Sequence, residues 1–469
     1  MDFIQANYID PVSHFLYTYI LIYVLLAVGV YYTIRTRFVQ FRLFRRMIQV
    51  MVGSADSGDA GGISSFQAFC VGLASRVGTG NIAGVAIALT LGGPGAIFWM
   101  WLVALVGMAT GFAEATLAQV FKVRSPDGSF RGGPAYYIER GLRSRPGGVL
   151  FALLLIFTFG IAFNMVQANT IGDVLKSAHT VSERWTAVVL MVLAAPVLFG
   201  GVRRVAKLSG YVLPVMALGY ILIALIVICT HLGQLPHTFN VIVQSAFGVG
   251  PAAAGLAGGM SAALLNGVKR GLFSNEAGMG SAPNAAATAT TDHPAKQGLI
   301  QSLGVFVDTI LVSTATALII LFSGVYTPGV TPESAGASLT QAALTKDFGT
   351  VGTWLMTVLV CVFAFSSVMG NYSYAEVNLD YLGASRTVIN GFRLVVLASV
   401  GGGTLLALKA VWAFADISMG LMALVNLAAL MLLSRWALGT LADYDAGHVP
   451  FRLTGNPRLP AGLTSDSWP

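Results

Sequence analysis

Val77-Gly78-Thr79-Gly80-Asn81 is a short, uncharged stretch, split by two glycines, near the centre of a long apolar run. It reads as a break in a membrane helix. Hydrocarbon offers nothing to the N–H and C=O groups that such a break frees, so they must turn to a buried ligand or ion. Broken helices of this kind form the centre of secondary transporters. Thr79 and Gly80 lie roughly 12 to 15 residues into their span, which at about 1.5 Å per residue is near the middle of a bilayer. A half-helix restarting near Asn81 would point its free N–H groups and positive dipole end at the gap, where a carboxylate is the natural guest. Carbonyls released at Ala74 and Val77 suit a small desolvated cation. The plain alternative is that Gly78 and Gly80 only let helices pack closely. A dinucleotide loop fits less well, because the spacing is not GxGxxG and no strand precedes it.

The rest of the chain supports a membrane setting. Of its 469 residues, 55% are apolar and only 10% charged, and the mean hydropathy is +0.74, which excludes a soluble protein with a water-facing surface. The net charge of +7 does not indicate nucleic acid, since the Lys and Arg residues fall in short loops between apolar spans, where orientation is encoded. Cys70, Cys229 and Cys361 all lie inside apolar runs, so neither a disulfide nor a metal framework is expected. No basic leader with a short apolar region opens the chain, and no cleaved signal is expected.

Eleven spans emerge in order. His14 to Ile34 is followed by Arg35, Arg37, Arg42, Arg45 and Arg46, which places the amino terminus outside and that loop in the cytoplasm. Ser65 onward and the run to Ala113, divided at Gly92-Gly93-Pro94-Gly95, give two spans; Pro146–Gly172, Trp185–Val202 and Leu208–Thr230 give three more. His231–Gly250 holds no Lys or Arg, as an outside loop should. Pro251–Val268 then crosses inward to Lys269 and Arg270, and Gly271–Thr291 reads as a helix at the cytoplasmic mouth. Gly298–Ser323, Gly352–Ala375, Leu394–Leu408 and Val411–Ser434 complete the set, leaving the carboxyl tail in the cytoplasm. All but Lys176, Arg184, Lys346 and Lys409 of the 27 cations fall on the inner side. The implied division is residues 1–50 (an extra first helix and basic loop), 61–232 and 251–435 (two five-span halves of opposite orientation, the parity of an inverted repeat) and a tail, 436–469. The expected location is the bacterial or archaeal plasma (inner) membrane.

Beyond the break, Gln167 stands mid-span near Asn164 and Asn169, as a ligand or as interhelical glue. Ser366 and Ser367, mid-span, offer hydroxyls that suit a cation site, though single serines usually bond back to their own helix. Asp308, about ten residues into its span, is a functional candidate by its depth; it binds the cation, relays a proton, or accepts hydrogen bonds from the broken helix. Asp416 lies nearer a span end and is expected to be solvated, while Glu114 and Glu276 are expected at cytoplasmic gate or packing contacts.

VGTGNIAGVA (77–86), GGPGAIFWMW (92–101), GGPAYYIERGL (132–142) and above all KRGLFSNEAGMGSAP (269–283) resemble the alanine or glycine:cation symporter family, over nearly the whole chain. The resemblance implies an all-α polytopic membrane protein of the leucine-transporter type, two inverted five-helix repeats preceded by one extra helix. It implies that the N–H groups of Thr79 and Gly80 hold an amino acid's carboxylate, that Gln167 lines the pocket, and that Gly267 supplies backbone between walls at Leu264 and Val268. Carbonyls of Ala74, Val77 and Phe363 with the hydroxyls of Ser366 and Ser367 would bind Na+. Asn371 departs from the pattern, standing where some members carry Trp, which opens the pocket to a larger substrate.

The function expected is sodium-coupled import of a small neutral amino acid, alanine or glycine, by alternating access in a lipid bilayer. Proton coupling through Asp308 and a glutamine-type substrate are the alternatives. A passive pore, the rival of another class, would carry current without substrate coupling. No GxxxxGK[ST] loop is present for a primary pump. No His lies deep enough to activate Ser366 or Ser367 for catalysis, so an enzyme is not expected.

Overall fold

The chain folds almost entirely into helices. The computed structural model describes residues 5–54, 63–125, 128–200, 202–249, 259–332, 334–463, 465, 467 and 468, with backbone only for 202–214. In order, the main helices are α1 (Asn7–Arg35), α2 (Ser65–Arg76), α3 (Gly80–Gly92), α4 (Gly95–Val120), α5 (Arg145–His179), α6 (Glu183–Leu198), α7 (Val202–Thr230), α8 (Leu235–Ala246), α9 (Gly259–Asn275), α10 (Ala282–Ala287), α11 (Pro294–Ser323), α12 (Ala337–Tyr381), α13 (Arg386–Leu405), α14 (Leu408–Leu432) and α15 (Ser434–Asp445). Among the described residues, seven are long and apolar enough to cross a membrane, or up to nine if two bent pairs each count as one span. The pairs are α2 with α3, bent by 47°, and the second part of α7 with α8, bent by 76°.

Local signals explain most boundaries. Ser64 caps α2 with a reciprocal pair of bonds, its hydroxyl accepting from the Gln67 N–H while the Gln67 side chain accepts from the Ser64 N–H, a capping box. Ser144 and Ser385 cap α5 and α13 more simply, each accepting one N–H. α12 is two helices joined at Gly349, whose φ of 60° only glycine adopts at little cost. α4 packs against α9 and α11, and α12 against α2 and α5, around a main apolar core, with a separate smaller cluster at Ala194, Leu198, Tyr372 and Val396.

Four expectations need correction. The stretch read as an outside loop, His231–Gly250, contains α8. The charged pair Lys269-Arg270 is not a cytoplasmic loop: α9 runs through both residues to Asn275. Lys269 donates to Ser13 at 3.0 Å, near the end of α1 that carries Asp10, whereas the other end of α1 leads to the Arg42–Asp445 bridge. Asp416 is not solvated but buried, accepting from Arg270 at 2.5 and 2.6 Å. A charge in a sequence reads as the end of a span; here each charge is held inside by its opposite. Finally, Gly271–Thr291 is not one helix, because α9 and α10 are separated by a break. The predicted starts at residues 61 and 251 lie outside the described residues.

The carboxyl-terminal stretch folds back on the Arg42 end. The Phe451 N–H donates to the Asp292 carbonyl, and the Trp468 indole N–H to the Gln119 carbonyl at 2.8 Å. Trp468 and Phe130 flank Lys122, whose ammonium lies 4.8 and 4.0 Å from their ring centres and donates to the Ala289 carbonyl. Burial pushes the Lys122 ammonium down to about 7, against about 10.4 in an unfolded chain. Between those values the unfolded chain holds a proton that the folded one lacks, so folding stability rises with pH. Thermal unfolding in detergent at pH 7 and pH 9 will show this rise in the parent protein and a smaller one in Lys122→Met.

Candidate functional site

The first break lies where the glycine-split stretch places it. α2 ends at Val77, which turns extended (φ −72°, ψ 96°), and the helix resumes at Gly80. The N–H groups at the restart do not go unpaired. Asn81 Oδ1 accepts the Gly78 N–H at 3.1 Å, and Gln167 Oε1, reaching from α5, accepts the Thr79 N–H at 3.3 Å and the Thr79 hydroxyl at 2.5 Å. A neutral amide oxygen thus occupies the position where the restarting helix favours an anion.

Asn81 ties the break to the rest of the core. Its Nδ2 lies within 3.0 Å of Ser274 Oγ on α9 and of the Asp308 carbonyl, Asp308 Oδ1 and Ser313 Oγ on α11. Ser274 and Thr309 donate to Asp308 Oδ2 at 2.6 and 2.8 Å. Asp308 is therefore an acceptor hub for the broken helix, one of the three roles open to it from its depth. Its segment, Phe306–Ser313, is wound more loosely than an α-helix, a common sign of a functional or strained site.

Further oxygen atoms collect beside Gly78. The Ser367 hydroxyl lies 3.0 Å from the Ala74 carbonyl and 3.1 Å from the Phe363 carbonyl, which also accepts Ser366 at 2.8 Å. Val77, the third carbonyl expected here, belongs to the extended link. Every oxygen in this set is a neutral carbonyl or hydroxyl, a donor set that suits a hard monovalent cation. Among the described residues no group of three His, Cys, Asp or Glu gathers as a metal site. The approach is tight: a Cβ added at Gly78 would lie 2.2 Å from Ser367 Oγ, and one at Gly80 would lie 3.0 Å from both Phe273 Cδ1 and the Ser274 Cα.

Asn371 stands one step from the break. Its Oδ1 accepts from Ser75 and its Nδ2 donates to Asn164 Oδ1, at 2.9 and 3.0 Å. Of the three α9 residues expected in the pocket, Gly267 stands away from the break. Gly267 faces α4, where an added Cβ would lie 2.5 Å from the Ala96 carbonyl oxygen, and it precedes the end of α9 by about 12 Å of helix.

The second break comes later than expected, at Glu276–Ser281. Glu276, Gly278 and Gly280 have φ of 58°, 90° and 87°, and a left-handed Glu is unusual enough to mark a special site. Glu276 accepts from Ser75 at 3.0 Å and from Ser281 at 2.5 Å, so the two breaks touch. Asn426 Nδ2 reaches the Gly278 carbonyl and Glu114, and Arg76 donates to Gln301. Sequence reasoning named Glu276 only as a gate or packing contact and missed Ser274, although the Gly-Met-Gly at 278–280 repeats the Gly-Thr-Gly spacing at 78–80. It also missed three rings over the break: Phe273 lies 4.4 Å from Phe163 and 4.5 Å from Trp412, between ring centres.

Gly78→Ala is predicted to destabilise the protein by about 1–3 kcal/mol through overpacking against Ser367. In a Ser367→Ala background the nearest atoms recede to 3.4 Å, so the same substitution will cost much less. A double-mutant cycle of melting temperatures measures the difference.

The model of the sodium:alanine symporter family matches residues 1–449. The chain is 49% identical to the amino-acid carrier protein AlsT of Bacillus subtilis, over 95% of this chain and 93% of the relative. It is 46% identical to the probable sodium/glutamine symporter GlnT of the same organism, over 95% and 91%, and 38% identical to the sodium/alanine symporter AgcS of Methanococcus maripaludis, over 92% and 95%.

Proposed function

This chain belongs to the sodium:alanine symporter family, and on that premise we propose that it imports a small neutral amino acid, alanine or glycine, together with Na+ by alternating access. The observation that carries the proposal is Gln167 Oε1 on the Thr79 N–H and hydroxyl. The substrate's carboxylate takes that position, gaining the Thr79 and Gly80 N–H groups, and displaces the Gln167 amide to line the pocket. Phe273 and Ser274 border Gly80 on the α9 side.

Sodium sits among Ala74, Val77, Phe363, Ser366 and Ser367. Its ligands come from α2 with its extended link and from α12, so the ion draws two separate elements together. The driving energy is about 2.3 kcal/mol per charge for each 100 mV of membrane potential. Eleven crossings in two inverted halves, 61–232 and 251–435, are supported by the position of the two breaks, each in the first crossing of its half. The basic loops favour an outside amino terminus and a cytoplasmic tail, with Lys269 and Arg270 reassigned to the outer half. Asp308, already accepting from Asn81, Ser274 and Thr309, holds the architecture, and the neutral cation ligands favour sodium over proton coupling. A glutamine-type substrate is the second reading, favoured by the modest size of Asn371.

Uptake of labelled alanine, glycine and glutamine into proteoliposomes under an imposed sodium gradient, a proton gradient or neither tests the proposal. Accumulation is expected with sodium alone. Gln167→Ala will raise the substrate half-saturation about tenfold, the loss of one charge-assisted hydrogen bond, and Ser367→Ala will weaken the sodium dependence. If both variants transport like the parent, the pocket lies elsewhere.

A further inference from the structure

α1 and α14 meet toward the Arg42 end, where the Tyr32 hydroxyl donates to the Leu430 carbonyl at 2.6 Å. Both helices turn apolar side chains outward up to that point: Ile34 is 59% exposed and Leu432 70%. The chemistry then changes within three residues. Arg35 ends α1, Arg435 stands in the first turn of α15, and both are exposed. An apolar outer surface that gives way to arginine marks the boundary between hydrocarbon and lipid headgroups.

These two arginines share one pocket, of about 470 Å³, with Arg458 from the folded-back tail; Tyr31, Ser434 and Leu459 help to wall it. Gly439 permits the tail's approach, since an added Cβ there would meet the Arg458 carbonyl oxygen at 2.2 Å. No carboxylate lines the pocket. Arg458 lies 3.7 Å from Asp443, an acid that His448 also contacts. Among the described residues, Arg35 stands only over the Tyr31 ring, and Arg435 has neither an ion pair nor a hydrogen bond. Three guanidinium groups beside one shared acid leave an excess of positive charge, and their forked donors match the oxygens of a phosphate.

We propose that this pocket holds the phosphate of an anionic membrane lipid, whose acyl chains lie against the exposed apolar side chains of α1 and α14. A free phosphate ion would use the arginines but not Ile34 and Leu432, and so the lipid fits more of what the surface offers. The bound headgroup joins α1, α15 and the tail, three segments distant in the sequence. The site requires only that the chain spans a membrane and does not rest on the transport reading.

Native mass spectrometry of the purified protein in detergent, titrated with phosphatidylglycerol or with phosphatidylcholine of the same chain length, tests the site. The first phosphatidylglycerol is expected to bind several-fold more tightly than the first phosphatidylcholine and to stay bound in the presence of equimolar glycerol 3-phosphate. Arg35→Gln and Arg435→Gln will each weaken that first step about fivefold, the worth of one basic residue near an anionic surface. Arg37→Gln combined with Arg45→Gln removes two other exposed cations from the same end, outside the pocket, and will leave the first step unchanged. Phosphatidylglycerol will also raise the melting temperature of the parent but not that of the Arg35→Gln, Arg435→Gln double variant. Equal binding of the two lipids, parent-like binding in that double variant, or an equal loss in the Arg37 and Arg45 pair would each overturn the proposal. Displacement by glycerol 3-phosphate would do so too, by showing a site for a soluble phosphate rather than a lipid.

Discussion

An interrupted helix in a dry core must find partners for its own backbone, and Asn81 is how this protein meets that demand. One side chain accepts the Gly78 N–H with its oxygen and reaches α9 and α11 with its nitrogen. The uncoiled link is thereby fixed to Asp308 rather than left to collapse into continuous helix. Buried polar networks of this kind hold a geometry only when every member is satisfied, and the Asn81, Ser274, Asp308, Thr309 group meets that condition through four side chains on three helices. The cradle at Thr79 is rigid because its neighbour is pinned.

The second break is braced differently. Its carbonyls and left-handed residues are held by Asn426, Ser281 and Ser75, and the hydrogen bond between Ser75 and Glu276 joins it to the first break. Ser75 also bonds Asn371, which bonds Asn164. Movement of either break is therefore felt by α5 and α12, the helices that carry Gln167 and Ser367.

Much of the first break was legible in the sequence because a membrane leaves few meanings for glycines, amides and an acid at mid-depth. Gln167, Ser366, Ser367 and Asp308 all stand out against an apolar background, and the fold brings Gln167 to Thr79, Ser367 to Ala74 and Asp308 to Asn81. Arg270 and Asp416 were illegible for the complementary reason: read singly, each charge marks water, and only the fold reveals that they neutralise each other. The aromatic cover over Gly80 was hidden because Phe163, Phe273 and Trp412 look like any other ring in a chain that is 10% aromatic. Long-range assembly, not local pattern, makes them a lid.

The oxygens around Ser367 carry no formal charge. In surroundings of low polarizability a lone monovalent ion there would lack a counter-charge, and a lone carboxylate at Thr79 would lack one too. On the proposed reading, each guest would supply the charge that the other lacks. Reciprocity then follows from thermodynamics alone, since whatever factor the ion adds to the affinity for the anion, the anion returns in full. A protein built this way would need no separate device to prevent either passenger from travelling unaccompanied.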